Sequence, residues 1–188
     1  MKKYNRKEFL SIPNCMGYFR LILIPVFCML YLRAELSKDY YIAALVLLVS
    51  SLTDALDGFV ARRFNMITEF GKLLDPVADK LTHAAIAICL MFRYPNMKYL
   101  FVLMIIKEGF MAVMGLWNLK HGVKLDGAKW FGKFCTASLF CVMLVLVAYP
   151  KIALATANLL IFMEMGIMLL TLILYIPQFY KMRKKWDS

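Results

Sequence analysis

Asp54-Ala55-Leu56-Asp57-Gly58-Phe59-Val60-Ala61-Arg62, followed after eight residues by Gly71-Lys72-Leu73-Leu74-Asp75-Pro76-Val77-Ala78-Asp79, is the stretch on which the reading of this chain turns. It places four carboxylates in text that is otherwise made for lipid. A carboxylate at a bilayer boundary is costly unless it is paired, solvated or bound to a cation. Four together demand a large compensating positive charge. A divalent metal is the simplest source, and a metal among carboxylates points to phosphate chemistry.

Outward from this stretch the chain is strongly apolar. Of its 188 residues 62% are hydrophobic, and the mean hydropathy is +0.67. Soluble domains are nearer half apolar. The fold expected is an all-α integral membrane protein folded as a single domain over residues 1–188. A spanning helix needs roughly 20 apolar residues. The pattern predicts six, at Met16–Leu32, Tyr40–Val60, Gly71–Phe92, Tyr99–Leu119, Trp130–Ala148 and Ile152–Tyr175, the last closing at Pro177. A short amphipathic juxtamembrane helix at Tyr4–Ile12 precedes them. The basic Met1–Lys7 segment lacks a small-residue cleavage pattern behind it and is not read as a removable signal.

Basic residues set the orientation. With the N-terminus in the cytoplasm, that side holds Lys2, Lys3, Arg6, Lys7, Arg62, Arg63, Lys72, Lys120, Lys124, Lys129, Lys133, Lys181, Arg183, Lys184 and Lys185. The other side holds only Arg33, Lys38, Arg93, Lys98 and Lys151. Both termini and the aspartates then face the cytoplasm, where nucleotide-activated substrates occur. The net charge of +11 speaks to orientation and anionic lipid, because no basic run interleaves with aromatics as nucleic-acid binding requires. Cys15, Cys28, Cys89, Cys135 and Cys141 show no CxxC or Cys/His spacing, which argues against a disulfide framework or a zinc site.

Asp54 and Asp57 lie three apart and Asp75 and Asp79 four apart, so each pair shares a helical face. The short connection between them lets the two helices lie antiparallel, with both pairs at one depth near the cytoplasmic surface. Hard oxygen donors favour Mg²⁺ or Mn²⁺ over zinc, and two ions fit among four carboxylates. Pro76 suits a helix first turn, where Asp75 would cap it. Gly58 and Gly71 remove side chains where a nucleotide can approach, or where helices cross closely. Arg62 can reach a phosphate or pair with a carboxylate. Arg20, Lys107 and Lys133 lie within predicted helices. They snorkel or pair with Glu108 or Glu164, or together hold an anionic acceptor. His83 reads as a packed helix residue, His121 and Asp126 as loop, Glu69 as a solvated loop charge. Trp117, Trp130 and Trp186 read as interfacial anchors.

The gapped pattern Asp-x2-Asp-Gly-x2-Ala-Arg-x8-Gly-x3-Asp-x3-Asp resembles the signature of the CDP-alcohol phosphotransferase family, with all eight fixed positions present. The resemblance implies transfer of a phosphatidyl group from CDP-diacylglycerol to an alcohol with release of CMP. It implies that Asp54, Asp57 and Asp75 hold the metals with Asp79 as a further ligand, and that Asp79 is also the catalytic base. Asn14, Asp57, Gly58, Ala61, Arg62, Thr68 and Gly71 would form the CDP site. A homodimer in membrane lipid, in a bacterial cell membrane, is the family's tendency.

Ile12-Pro13-Asn14-x5-Arg20 and Gly132-Lys133-x2-Thr136 look like segments of the phosphatidylglycerophosphate synthases of that family, which makes glycerol 3-phosphate the expected acceptor. Those synthases usually carry Thr at the place of Gly17, Gln at that of Leu139 and Arg-Glu at that of Lys107-Glu108. A cardiolipin synthase using phosphatidylglycerol is the alternative within the family. An intramembrane prenyltransferase, which also sets acidic pairs and Mg²⁺ on a diphosphate, is the alternative from another class. A cation transporter would need acids spread through the membrane depth, whereas these cluster.

Overall fold

The computed structural model describes residues 11–64, 66, 68, 70–121 and 129–183, without the side chains of Lys72 and Arg183. The expected amphipathic helix at Tyr4–Ile12, apart from its last two residues, lies outside the described residues. So do Asn65, Glu69, Lys124, Asp126, Lys184, Lys185 and Trp186.

All the regular structure among the described residues is helical. Its helices are α1 (Ile12–Leu32), α2 (Ser37–Arg63), α3 (Gly71–Met91), α4 (Met97–Lys120), α5 (Trp130–Ala148) and α6 (Leu154–Arg183). Five of them, all except α3, are long and apolar enough to cross a membrane. α3 has the length, but Lys72, Asp75, Asp79 and Lys80 crowd its first half.

Three expectations need correction. α6 does not close near Pro177 but runs on to Arg183. Proline removes one ladder hydrogen bond and usually kinks or ends a helix. Here the turn beyond it is held by packing: Phe179 is buried and meets the Phe110 ring edge-on at 5.7 Å. Pro76 does not sit in a first turn either, because α3 already starts at Gly71. Asp75 is therefore inside the helix and is not its cap. Finally, α1 starts earlier than expected, at Ile12, with proline in its first turn, where the missing N–H is harmless.

The chain forms two compact units, Met1–Leu90 with Leu144–Lys151, and Met91–Met143 with Ile152–Ser188. In the first, α1 packs against α2. Its interior holds Phe27, Ala43, Ala44 and Leu47, but also Asn14, Arg20 and Asp57, while Leu45, Leu52 and Phe59 are exposed. This inversion of the soluble pattern suits a lipid surround. In the second unit α4 packs against α6. Glu164 is fully buried there and accepts the Ser138 hydroxyl proton at 3.1 Å. Cys89 and Cys135 are buried as small apolar residues, one in each unit.

Candidate active site

α1 presents Asn14, Gly17 and Arg20 at three-residue spacing along one buried face. Gly17 lets this face come close to α3: a Cβ there would stand 2.7 Å from Leu74 Cδ2. That contact gives a local reason for glycine at a position where threonine was expected. One turn earlier, Asn14 is 1% exposed and exchanges hydrogen bonds with the Thr68 hydroxyl at 3.1 and 3.2 Å. Thr68 Oγ1 in turn accepts the Gly71 amide proton at 2.9 Å. That amide is one of the first four of α3, which no helical carbonyl can satisfy. Asn14, Thr68 and Gly71 thus tie α1, the α2–α3 connection and the start of α3 into one polar seam.

Further along the same face of α1, the Arg20 guanidinium enters the middle of the four aspartates. Nη1 joins Asp54 Oδ1 to Asp79 Oδ1, the latter at 2.7 Å. Nη2 joins Asp57 Oδ2, at 3.1 Å, to Asp75 Oδ1, at 3.4 Å. Each nitrogen therefore bridges one acid of α2 to one acid of α3. The crossed order, 54 with 79 and 57 with 75, is the pairing that antiparallel helices give.

The arginine and Asp57 side chains are 3% and 4% exposed, whereas Asp54, Asp75 and Asp79 are 42–47% exposed. One acid is thus sealed in the unit and three open outward. A single guanidinium offsets one of four negative charges, so the cluster retains a strong preference for further positive charge.

The remaining expected site residues fall in two places. Gly58 and Ala61 are half-buried on α2 beside the aspartates in sequence, and Arg62 is exposed. Among the described residues a Cβ on Gly58 would meet nothing nearer than Arg62 Nη2 at 3.8 Å, so none of their contacts demands glycine there. Lys107 and Lys133 belong to the second unit. Lys107 is buried and donates to Glu108 Oε1 at 3.0 Å, as expected, while Lys133 is exposed on α5. Gly132 lies against the Tyr175 hydroxyl. His83 is half-buried on α3, and His121 is exposed at the end of α4 with Nδ1 2.9 Å from the Trp117 carbonyl. Trp117 and Trp130 are exposed, as anchors should be.

The engagement of Arg20 with the aspartates is what the sequence reading missed, since it offered Glu108 or Glu164 as partners. A depth count holds the signal. Arg20 lies about two helical turns into α1, and the acids lie roughly one to two and a half turns from the adjoining ends of α2 and α3, which puts all five at similar depth.

The donor set suits a hard cation, because four carboxylates from two helices converge on one point that already carries positive charge. Asp57 Oδ2, though close to Nη2, has no aligned hydrogen bond among the described residues. With the guanidinium in place, no group of three or more acids, histidines or cysteines among the described residues is spaced as a metal cage.

A sequence model of the CDP-alcohol phosphatidyltransferase family matches residues 10–177. The chain belongs to this family. A protein of Escherichia coli named CDP-diacylglycerol--glycerol-3-phosphate 3-phosphatidyltransferase is 33% identical over 164 residues, covering 85% of this chain and 89% of its own. A protein of the same name from Shigella flexneri is 34% identical over 146 residues, covering 76% and 79%. Another, from Wigglesworthia glossinidia brevipalpis, is 34% identical over 116 residues, covering 60% of this chain and 63% of its own. The apolar helices and these bacterial relatives make the chain an integral membrane protein. The family is metal-dependent, in keeping with the carboxylate donor set, and its CDP-linked chemistry takes precedence over the prenyl-diphosphate alternative.

Proposed function

We propose that this protein transfers the phosphatidyl group of CDP-diacylglycerol to glycerol 3-phosphate, giving phosphatidylglycerophosphate and CMP. The observation that carries the reading is the convergence of Asp54, Asp57, Asp75 and Asp79 on one point from two helices. The family match over most of the chain and the names of its relatives support it. In this reading residues 1–188 act as one catalytic domain, as a homodimer in a bacterial cell membrane. The distribution of Lys and Arg supports a topology with both termini and the aspartates on the cytoplasmic side.

Asp54, Asp57, Asp75 and Asp79 would hold two Mg²⁺ or Mn²⁺ ions, which when bound neutralise the diphosphate and stabilise CMP as leaving group. The chain's own residues do the rest. Asp79, half-exposed, takes the proton of the acceptor hydroxyl. The acceptor oxygen forms a bond to the lipid-linked phosphorus as the bond from that phosphorus to CMP breaks. Gly58 and Ala61 present a bare face of α2 to the nucleotide, and exposed Arg62 reaches its phosphates. Asn14 and Thr68 fix Gly71 at the start of α3, where the nucleotide lies against backbone. Arg20, in the unit that carries the aspartates, is the cation this reading offers to an anionic acceptor.

The test is incubation of the purified protein with CDP-diacylglycerol, Mg²⁺ or Mn²⁺, and either glycerol 3-phosphate, phosphatidylglycerol, serine or inositol phosphate, reading CMP release. Glycerol 3-phosphate should be the productive acceptor. Turnover with phosphatidylglycerol and none with glycerol 3-phosphate would replace the acceptor by that of a cardiolipin synthase.

A further inference from the structure

We propose that Arg20 is an internal counter-cation of the four aspartates, which a divalent ion must displace before the site can work. The idea rests on the metal-dependent reading above. Its ground is the two-slot contact: Nη1 between Asp54 and Asp79, Nη2 between Asp57 and Asp75. These are four of the eight carboxylate oxygens open to an ion bridging α2 to α3. Mg²⁺ takes its oxygens at about 2.0–2.1 Å and tolerates little distortion. An ion that close to Asp79 Oδ1 and Asp54 Oδ1 would lie against Nη1, positive on positive. The guanidinium and the ion are therefore alternatives at the same oxygens.

Two further observations bear on the arginine's fit. Arg20 Nε is buried without a hydrogen-bond partner among the described residues, and Asp57 Oδ2 lacks an aligned donor although Nη2 is 3.1 Å away. A fully satisfied buried pair would leave neither. The function of the arrangement is alignment. Four carboxylates at one depth repel one another, and the guanidinium holds them in crossed pairs until ions arrive. Loading then frees a cation beside the reacting groups, where an anionic substrate can take it up.

The test labels arginines of the full-length protein in detergent with phenylglyoxal, with EDTA or with Mn²⁺, and reads each site by mass spectrometry. Arg33, exposed at the end of α1, serves as internal reference. In EDTA Arg20 should be protected, as its 2% exposure requires. Mn²⁺ should raise its labelling several-fold relative to Arg33, EDTA should reverse this, and Asp57→Asn should abolish the rise. In parallel, Arg20→Gln should bind Mn²⁺ about tenfold more tightly or better, since a competing positive charge is gone. Arg20→Lys, which keeps the charge but loses the two-slot fork, should fall between.

Tighter binding alone could reflect through-space repulsion, so the labelling of the wild-type protein decides displacement and needs no variant to fold. Arg20 staying protected while Mn²⁺ binds would overturn the displacement and leave the transferase reading intact. So would unchanged or weaker Mn²⁺ binding in Arg20→Gln. Absence of Mn²⁺ binding by the wild type, with CMP release that ignores EDTA, would remove both.

Discussion

Gly71 lies with its bare Cα against Asn14: a Cβ there would stand 2.7 Å from Asn14 Oδ1 and 3.0 Å from Thr68 Oγ1. Both neighbours are held by their mutual hydrogen bonds, so neither can step aside without breaking the seam. Gly71→Ala should therefore lower both thermal stability and CMP release. Gly58→Ala makes the informative contrast. Nothing among the described residues opposes a Cβ at Gly58, and alanine favours the helix by roughly 0.5–1 kcal/mol. Gly58→Ala should keep or raise the melting temperature while raising KM for CDP-diacylglycerol. A Gly58→Ala protein with wild-type KM would show that this face of α2 does not meet the nucleotide.

Thr68→Val keeps the shape of the side chain but removes the acceptor of the Gly71 amide and the partner of Asn14. The loss should be about 1 kcal/mol in stability. Turnover should fall through KM for CDP-diacylglycerol more than through kcat if the seam positions the nucleotide site as proposed, without touching the reacting oxygen. Thr68→Ser, which retains the hydroxyl, should restore most of it. Steady-state kinetics of the pair beside their thermal melts check this.

Asp79→Asn retains the volume and the hydrogen bond from Arg20 Nη1 but loses the basic oxygen. CMP release should fall by about 10²–10⁴-fold, the usual worth of a general base, while the protein still inserts and melts cooperatively. Turnover near wild type would move the base to another group.

Gly132→Ala should destabilise the second unit, since its Cβ would run into the Tyr175 hydroxyl and come to 3.1 Å from Cζ of that ring. The ring cannot easily rotate away, because it is buried and packs edge-on against Phe131 at 4.7 Å. A loss of about 1–3 kcal/mol is expected for such overpacking. Tyr175→Phe in the same protein should recover part of it by deleting the hydroxyl. Thermal melts of the two single variants and the double variant read the coupling.

The helices show where sequence alone suffices and where it does not. Apolar runs about as long as the bilayer is thick pointed to the six described helices, five of which are long and apolar enough to cross, and the predicted limits of α5, Trp130–Ala148, match its observed ones. Pro177 misled the end of α6 because the choice between stopping and continuing rests on Phe179 packing against Phe110, which belongs to a different helix, α4. The start of α1 moved for a local reason, proline in a first turn, and was readable in principle.

What the sequence by itself determined is the chemistry: which four acids, which glycines, and the helical spacing that puts each acid pair on one face. These are short-range properties, set by residue type and the period of the helical turn. Only the tertiary structure decided what the acids face. Arg20, on α1, reaches Asp54 and Asp57 on α2 and Asp75 and Asp79 on α3, all of them far from it along the chain. No local pattern encodes such contacts. They exist because Gly17 allows α1 to lie close against Leu74 of α3, and because a buried cation has its desolvation cost offset only when carboxylates are brought against it.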